Sequence, residues 1–315
     1  MSTSEGSFAM PKEMKFGAPV LRVSKIDETL RFYQDGMGLK VKAKYQDPVE
    51  DLPVYEVAPA ASGEPLLKLK HDGSAIKPKN DFAGLYHFAV LVPTRKSLAS
   101  TFLGIGDAGI SYDGSADHYV SEALYLHDAE FNGIEVYADR PRETWKAFFA
   151  STGDRAADLR RLRALNKPLD VASLLKELTN DERVDPPRFA EGARIGHVHL
   201  RVTDLQRSVR FYHEVLGFDV VTNYPEMGAS FLSVGGYHHH IGLNTWNSLG
   251  GTPHESGETG LDGLTMYVPG TETLDALQRS IPAASIERVD DGLVTSDPDG
   301  IRIELRALKT EKVAT

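Results

Sequence analysis

The sequence predicts an α+β fold of four βαβββ modules in two halves joined by a helical connector, and three observations lead there. First, Val23-Ser-Lys-Ile-Asp-Glu-Thr-Leu-Arg-Phe-Tyr33, followed by Gly38-Leu39, aligns without gaps on Val202-Thr-Asp-Leu-Gln-Arg-Ser-Val-Arg-Phe-Tyr212, followed by Gly217-Phe218. Second, Leu85 to Pro93 is similar to Leu261 to Pro269, and each is followed by a helical pattern, an Asp turn and a strand. Third, the stretch from Arg140 to Gly192 is charged and matches neither pattern. A repeat of this length marks duplicated units rather than chance.

Taken in order, residues 1–14 are polar and patternless and are expected to be a loose tail. The first module starts near residue 16. Its alternating strand runs into a helix whose apolar face is Leu30, Phe32 and Tyr33, and Gly38 is placed to stop it. The second module starts near residue 84, with Leu98, Phe102 and Ile105 marking its helix and Gly133-Ile-Glu-Val136 its last strand. Together they form a first half over residues 15–142. Residues 143–193 read as a helical connector, with an amphipathic helix from Val171 to Leu178 broken by Asp185-Pro-Pro187. The third module, near residue 194, has Asp204 or Thr203 as N-cap, Val209, Phe211 and Tyr212 on the apolar face, and Gly217 as the stop. The fourth, near residue 262, has Leu274, Leu277 and Ile281 on its helix and Asp297-Pro-Asp-Gly300-Ile-Arg-Ile-Glu304 at its end. These two make a second half over 194–308, and 309–315 are a polar tail.

Composition narrows the function. The chain has 35 Lys and Arg against 45 Asp and Glu, a net charge of −10, and no basic stripe to neutralise phosphates, which argues against nucleic acid. There is no apolar run of transmembrane length and no signal-peptide pattern, so no membrane association and a cytoplasmic location are expected. With no cysteine, disulfides, thiolate ligands and a Cys nucleophile are excluded. Any transition metal must sit on nitrogen and oxygen.

Four strings carry a resemblance: Gly84-Leu-Tyr-His-Phe88, Asp117-His-Tyr-Val-Ser-Glu-Ala-Leu-Tyr125, Asn132-Gly-Ile-Glu-Val-Tyr-Ala-Asp-Arg-Pro-Arg142 and Gly235-Gly-Tyr-His-His-His-Ile-Gly-Leu-Asn-Thr-Trp246. With the tandem modules, they make residues 15–308 similar to the vicinal oxygen chelate superfamily, and within it to bacterial catechol 2,3-dioxygenases. The resemblance implies that modules pair into cup-shaped sheets, with ligands on the first and last strands of a module. At the first-strand position the modules carry Ala18, His87, His197 and Gly263, so only the second and third are armed. Two histidines and a carboxylate make the facial set of non-haem Fe(II) oxygenases. The resemblance therefore implies His87, His197 and Glu135 as metal ligands, with Fe(II) bound, Mn(II) as the alternative metal, and O2 as co-substrate. It further implies His240 as the acid–base group, Tyr125 beside the ligand Glu, and His118 shaping the substrate side. His199 and His238 are candidates for positions around these.

One departure matters. In the two-domain extradiol enzymes the third and fourth modules make the site, whereas here the armed modules are the second and third. Pairing of those two is favoured, because it gathers every required side chain; the alternative is His197, His240 and Glu304 within the last two modules. Against each functional assignment stands a bland one. A lone strand His is usually a satisfied core residue, but His87 recurs in register with His197. A Glu inside an Ile-Glu-Val strand needs a partner if buried. Glu304 is expected to pair with an Arg, His239 to pack or face water, Trp246 and Phe211 to be core, and His71, His127, His213 and His254 to be solvated. Strand alternation would put His238 and His240 on one face and His239 on the other.

The implied activity is extradiol cleavage of catechol or a substituted catechol to a 2-hydroxymuconic semialdehyde-type product, by a homo-oligomer. The rivals are a glyoxalase-like metal-dependent isomerase or thiol transferase, and a metal-free small-molecule-binding protein of the same superfamily.

Overall fold

The computed structural model describes residues 8–59, 64–79, 81–184, 186, 188–289 and 291–308. Of the tails expected at 1–14 and 309–315, residues 1–7 and 309–315 lie outside the described residues. The first module comprises β1 (Lys15–Phe16), β2 (Val20–Val23), α1 (Ile26–Arg31), β3 (Leu39–Gln46), β4 (Pro53–Pro59) and β5 (Leu67–His71). The second has β6 (Gly84–Leu91), α2 (Arg95–Asp107), β7 (Gly114–Asp117), β8 (Ser121–His127) and β9 (Gly133–Asp139). The connector holds α3 (Lys146–Phe149), α4 (Arg155–Leu165) and α5 (Val171–Leu175). The third module follows as β10 (Arg194–Arg201), α6 (Leu205–Arg210), β11 (Asp219–Tyr224), β12 (Ala229–Ser233) and β13 (Ile241–Asn244). The fourth is β14 (Gly260–Val268), α7 (Gly270–Ser280), β15 (Ile286–Val289), β16 (Gly292–Ser296) and β17 (Arg302–Ala307). The α+β fold of βαβββ modules in two mixed sheets, with helices between the third and second modules, is thus present.

Local chemistry explains the helix ends. Asp204 caps α6 by accepting from the Arg207 N–H at 2.9 Å, and Thr94 caps α2 through Ser97 N–H at 3.0 Å. Both repeats close in one turn of π-helix, Phe32–Gly36 and Phe211–Val215, and stop at Gly38 and Gly217 with φ of 72° and 75°. The connector helix ends at Leu175, earlier than its apolar pattern suggests, and the pattern missed α4, whose mean composition is strongly polar. Ordered packing reaches further toward the N-terminus than a loose tail would: Met10 and Met14 are buried, and Met10 N–H donates to Gly217 O at 2.9 Å.

The chain divides into two compact units. One contains residues up to Arg22, Ser74–Tyr86 and His197 onward. In it β2 runs antiparallel to β14, with Arg22 opposite Gly260 and Leu21 opposite Leu261, so the first strand of module one pairs with the first strand of module four. β14 is parallel to β17, and β17, β16 and β15 form a meander. β10 is parallel to β13, with β12 and β11 following antiparallel. The positions that carry His elsewhere are Ala18 and Gly263 here, and a buried ion pair, Arg22 to Asp262 at 2.8 Å, lies between these strands. The other unit contains Val23–Gly73 and His87–Gly196. There β3, β4 and β5 form an antiparallel meander, β6 is parallel to β9, and β8 and β7 extend it. Leu98 and Ile105 of α2 and Leu274 and Leu277 of α7 are fully buried or nearly so; each contributes about 1.5–3 kcal/mol.

A buried tyrosine–aspartate bond appears once in each unit. Tyr33 Oη donates to Asp128 Oδ2 at 3.0 Å, and Tyr212 Oη donates to Asp297 Oδ2 at 3.1 Å. The other carboxylate oxygen closes the turn, Asp128 accepting from Glu130 and Asn132 N–H and Asp297 from Asp299 and Ile301 N–H. Burial raises both carboxyls above their ordinary value, Asp297 to about 7, and with the neighbouring carboxylate pushes both phenols well up. Among the described residues no helix is long and apolar enough to cross a membrane.

Candidate metal centre

In the unit that contains β6 and β9, four of the sequence-predicted side chains come together. β6 lies parallel to β9 with Phe88 opposite Ile134 and Ala89 opposite Glu135. This register brings His87 Nε2 to 3.0 Å from Glu135 Oε2, and both residues are buried, 6% and 3% exposed. A carboxylate withdrawn from water to this degree is costly without a cation or strong donors. Tyr125 on β8 stands directly opposite Glu135. Its ring centroid is 5.8 Å from that of His87, and its Oη is 2.6 Å from His118 Nε2. Ala89, Leu91, Ala123 and Tyr137 pack beneath it.

His118 sits in the tight turn between β7 and β8, where Tyr119 adopts φ 71° and its N–H donates to Asp117 Oδ1 at 2.9 Å. Charge clamps that turn. Arg140 reaches Asp117 at 2.8 Å and Glu122 at 3.0 Å, and Arg95 holds the other side of Glu122 at 2.6 Å. Gly196, just before His197, has no room for a side chain: a Cβ there would lie 1.9 Å from Tyr137 Oη.

In the other unit, His197 and His199 lie on β10 and are buried, 1% and 4% exposed. His199 faces the same way as its register partner Gly242, where an added Cβ would fall 2.8 Å from the His199 ring. The His238–His240 run departs from the alternation expected of a strand. β12 ends at Ser233 and β13 begins at Ile241, and Gly235 and Gly236, with φ of 60° and 67°, turn the chain between them. His239, expected to pack or face water, packs with its ring centroid 4.1 Å from His197 and 5.0 Å from Phe231. His238 is 6.1 Å from His197 and its Nδ1 is 2.8 Å from His239 Nδ1. His240 instead turns toward Tyr237 and Phe16, with centroids at 4.9 and 6.4 Å, and its Nδ1 accepts from Val234 N–H at 3.2 Å. The pattern of alternation could not show this, because the ladder resumes only at His240, whose N–H bonds Leu232 O.

Glu304 is held by Arg302 at 2.6 Å and Arg306 at 3.1 Å, the structural role expected of it. Trp246 is 48% exposed, not core, with its Nε1 donating to Met227 O at 2.8 Å. His254, expected in solvent, is largely enclosed, and burial lowers its pKa.

The donor set fits a divalent transition ion. Imidazole nitrogens and a carboxylate oxygen, with no thiolate in the chain, suit Fe(II) or Mn(II), and an ion beside Glu135 would offset the cost of its burial.

Comparison with known proteins adds a family and relatives. A model of the Glyoxalase/Bleomycin resistance protein/Dioxygenase superfamily matches residues 15–140 and 194–305. A protein of Bacillus subtilis (strain 168) named catechol-2,3-dioxygenase is 37% identical over 290 residues, covering 91% of this chain and 95% of that one. Among solved structures, glyoxalase I of Zea mays has a TM-score of 0.54 at 17% identity, covering 94% of this chain and 92% of its own. The cppA protein of Streptococcus pneumoniae TIGR4 has a TM-score of 0.54 at 10% identity, covering 95% and 100%. At these identities the structural likeness speaks for the fold alone.

Proposed function

The chain belongs to the Glyoxalase/Bleomycin resistance protein/Dioxygenase superfamily, and from that premise we propose that it is an iron-dependent extradiol dioxygenase acting on a catechol. One observation carries the reading: His87, Glu135 and His197, all buried, each offer a ligand atom, and these atoms lie within 4.8 Å of one another. The name of the 37% identical relative supports the same reaction class. Ring cleavage with both oxygen atoms of O2 entering the product balances without an outside reductant. When bound, Fe(II) supplies the redox chemistry that joins O2 to the diol.

The chain's own residues do the rest. His87, Glu135 and His197 would hold the ion through two nitrogens and one oxygen and leave neighbouring positions open. Tyr125, opposite Glu135 and bonded to His118 at 2.6 Å, is placed to donate to a substrate oxygen and to pass a proton to His118. In the unit that carries His197, the run His238–His240 offers imidazoles as proton donors or acceptors. His239, rather than His240, has its ring against His197 and is the nearer of the two to act on a bound diol. Manganese is the alternative ion.

The test is anaerobic loading with Fe(II), then addition of catechol and air. Growth of a yellow semialdehyde supports the proposal. Tight iron binding with no turnover of any common catechol favours a glyoxalase-like isomerase, and failure to bind a metal favours a small-molecule-binding protein.

A further inference from the structure

We infer that Arg201 and Asn244 form an anion subsite at the end of β10, taking the carboxylate of a catechol that carries a short acidic side chain. The inference deepens the ring-cleavage reading and rests on it for the identity of the ring.

Register puts the two residues side by side. β10 and β13 are parallel, with His199 opposite Gly242 and Arg201 opposite Asn244. Register partners on neighbouring strands face the same way, and the His199 ring filling the space over Gly242 shows which way that is. His197, His199 and Arg201 alternate along one face, so Arg201 shares the face of a proposed metal ligand, about 13 Å of strand away.

Both side chains present donors for which the described residues offer no acceptor. Arg201 Nε and Asn244 Nδ2 are shielded from solvent, and neither has a hydrogen-bond partner among the described residues. Asn244 is 1% exposed, and its Oδ1 accepts from Trp246 N–H at 3.3 Å, which leaves the amide nitrogen as the donor without a partner among the described residues. A donor left so costs stability unless a ligand satisfies it. Arg201 has no acidic partner among the described residues, although the chain holds 45 Asp and Glu. Its guanidinium lies instead over two rings, 5.4 Å from Phe82 and 5.5 Å from Tyr86. Tyr86 packs on His199 at 5.0 Å and on Trp246 at 5.2 Å. The cation thus lies on a ring that also packs against His199. Burial lowers its pKa without discharging it. Two donors on neighbouring strands, one permanently charged and lying over aromatic rings, suit a carboxylate attached to an apolar or aromatic body.

The test is calorimetric titration under nitrogen with 3,4-dihydroxyphenylacetate and 4-methylcatechol. It is run with and without Fe(II) on the parent chain, Arg201→Gln, Arg201→Lys and Asn244→Ala, with turnover of both compounds followed in air. The parent is expected to prefer the acid. That preference should fall about tenfold to a hundredfold in Arg201→Gln, fall less in Arg201→Lys, and fall in Asn244→Ala. Equal binding of the two probes, a preference that survives in Arg201→Gln, or no binding of the acid at all overturns the subsite. An acid preference lost in Arg201→Gln without any ring cleavage keeps the subsite and removes the dioxygenase reading. Cleavage of both probes with equal affinity does the reverse.

Discussion

A single imidazole or carboxylate decides the most at this site. Replacing His87 or His197 by Ala removes one of three proposed ligands, so iron is expected to drop from about one ion per chain to background by metal analysis. A variant that retains full iron would take that residue out of the ligand set. Tyr125→Phe should behave differently, because its oxygen meets His118 rather than the ion. Iron content should stay at the parent level while kcat/KM falls about tenfold to a hundredfold. At this scale sequence reading went far for the strand positions. His87, Glu135 and Tyr125 stand where an alternating ladder puts them, because β6, β8 and β9 are regular, whereas His118 sits in the turn before β8. It failed where the backbone is irregular: the glycine turn before His238 breaks the period of two, so His239 and His240 exchange the neighbours that alternation would assign them. Arg201 stood four residues beyond His197 on the same face, and that no acidic residue among the described ones pairs with it is a fact only of the folded chain.

Strands and turns carry their own tests. Gly196 on β10 sits against Tyr137, and Gly196→Ala would force a methyl into the phenol oxygen. A loss of about 1–3 kcal/mol is expected in chemical denaturation, and an unchanged midpoint would mean that Tyr137 swings aside at no cost. The Asp297 turn has a pH signature. Its carboxyl is raised by burial from 3.8 to about 7, so between these values the folded chain holds a proton that the unfolded chain has lost. The contribution of this group is therefore whole below the lower value and is lost as pH rises through the upper one. Asp297→Asn carries no such proton, so parent stability should fall relative to the variant from about pH 4 to about pH 7; a flat difference across that window refutes it. The tyrosine–aspartate bond itself was hidden in the sequence. Tyr33 and Tyr212 were visible as repeated apolar positions and Asp128 and Asp297 as repeated turn residues, but nothing local joins residues 85 or 95 apart.

At the scale of the whole chain, four modules were legible because the first and third repeat a helix with its glycine stop and the second and fourth repeat a strand, a helix and an Asp turn. The pairing of the outer modules was not, since strand order depends on contacts far apart in sequence. A chain cut within the connector at residue 150 keeps β2 but loses β14. The N-terminal piece alone is expected to lack a cooperative thermal transition, and mixing it with the C-terminal piece should restore one. A cooperative transition in residues 1–150 by themselves would show that β2 does not need that partner.

The same pairing bears on how the protein is made. Arg22 and Asp262 are 240 residues apart, so at a ribosomal pace of about 5–20 residues per second the opening strand waits roughly 10–50 s for its counterpart to emerge. During that interval the edge that β14 will cover is open to other nascent chains, so chaperone occupancy of the first segment during translation is the expected consequence of so late a pairing.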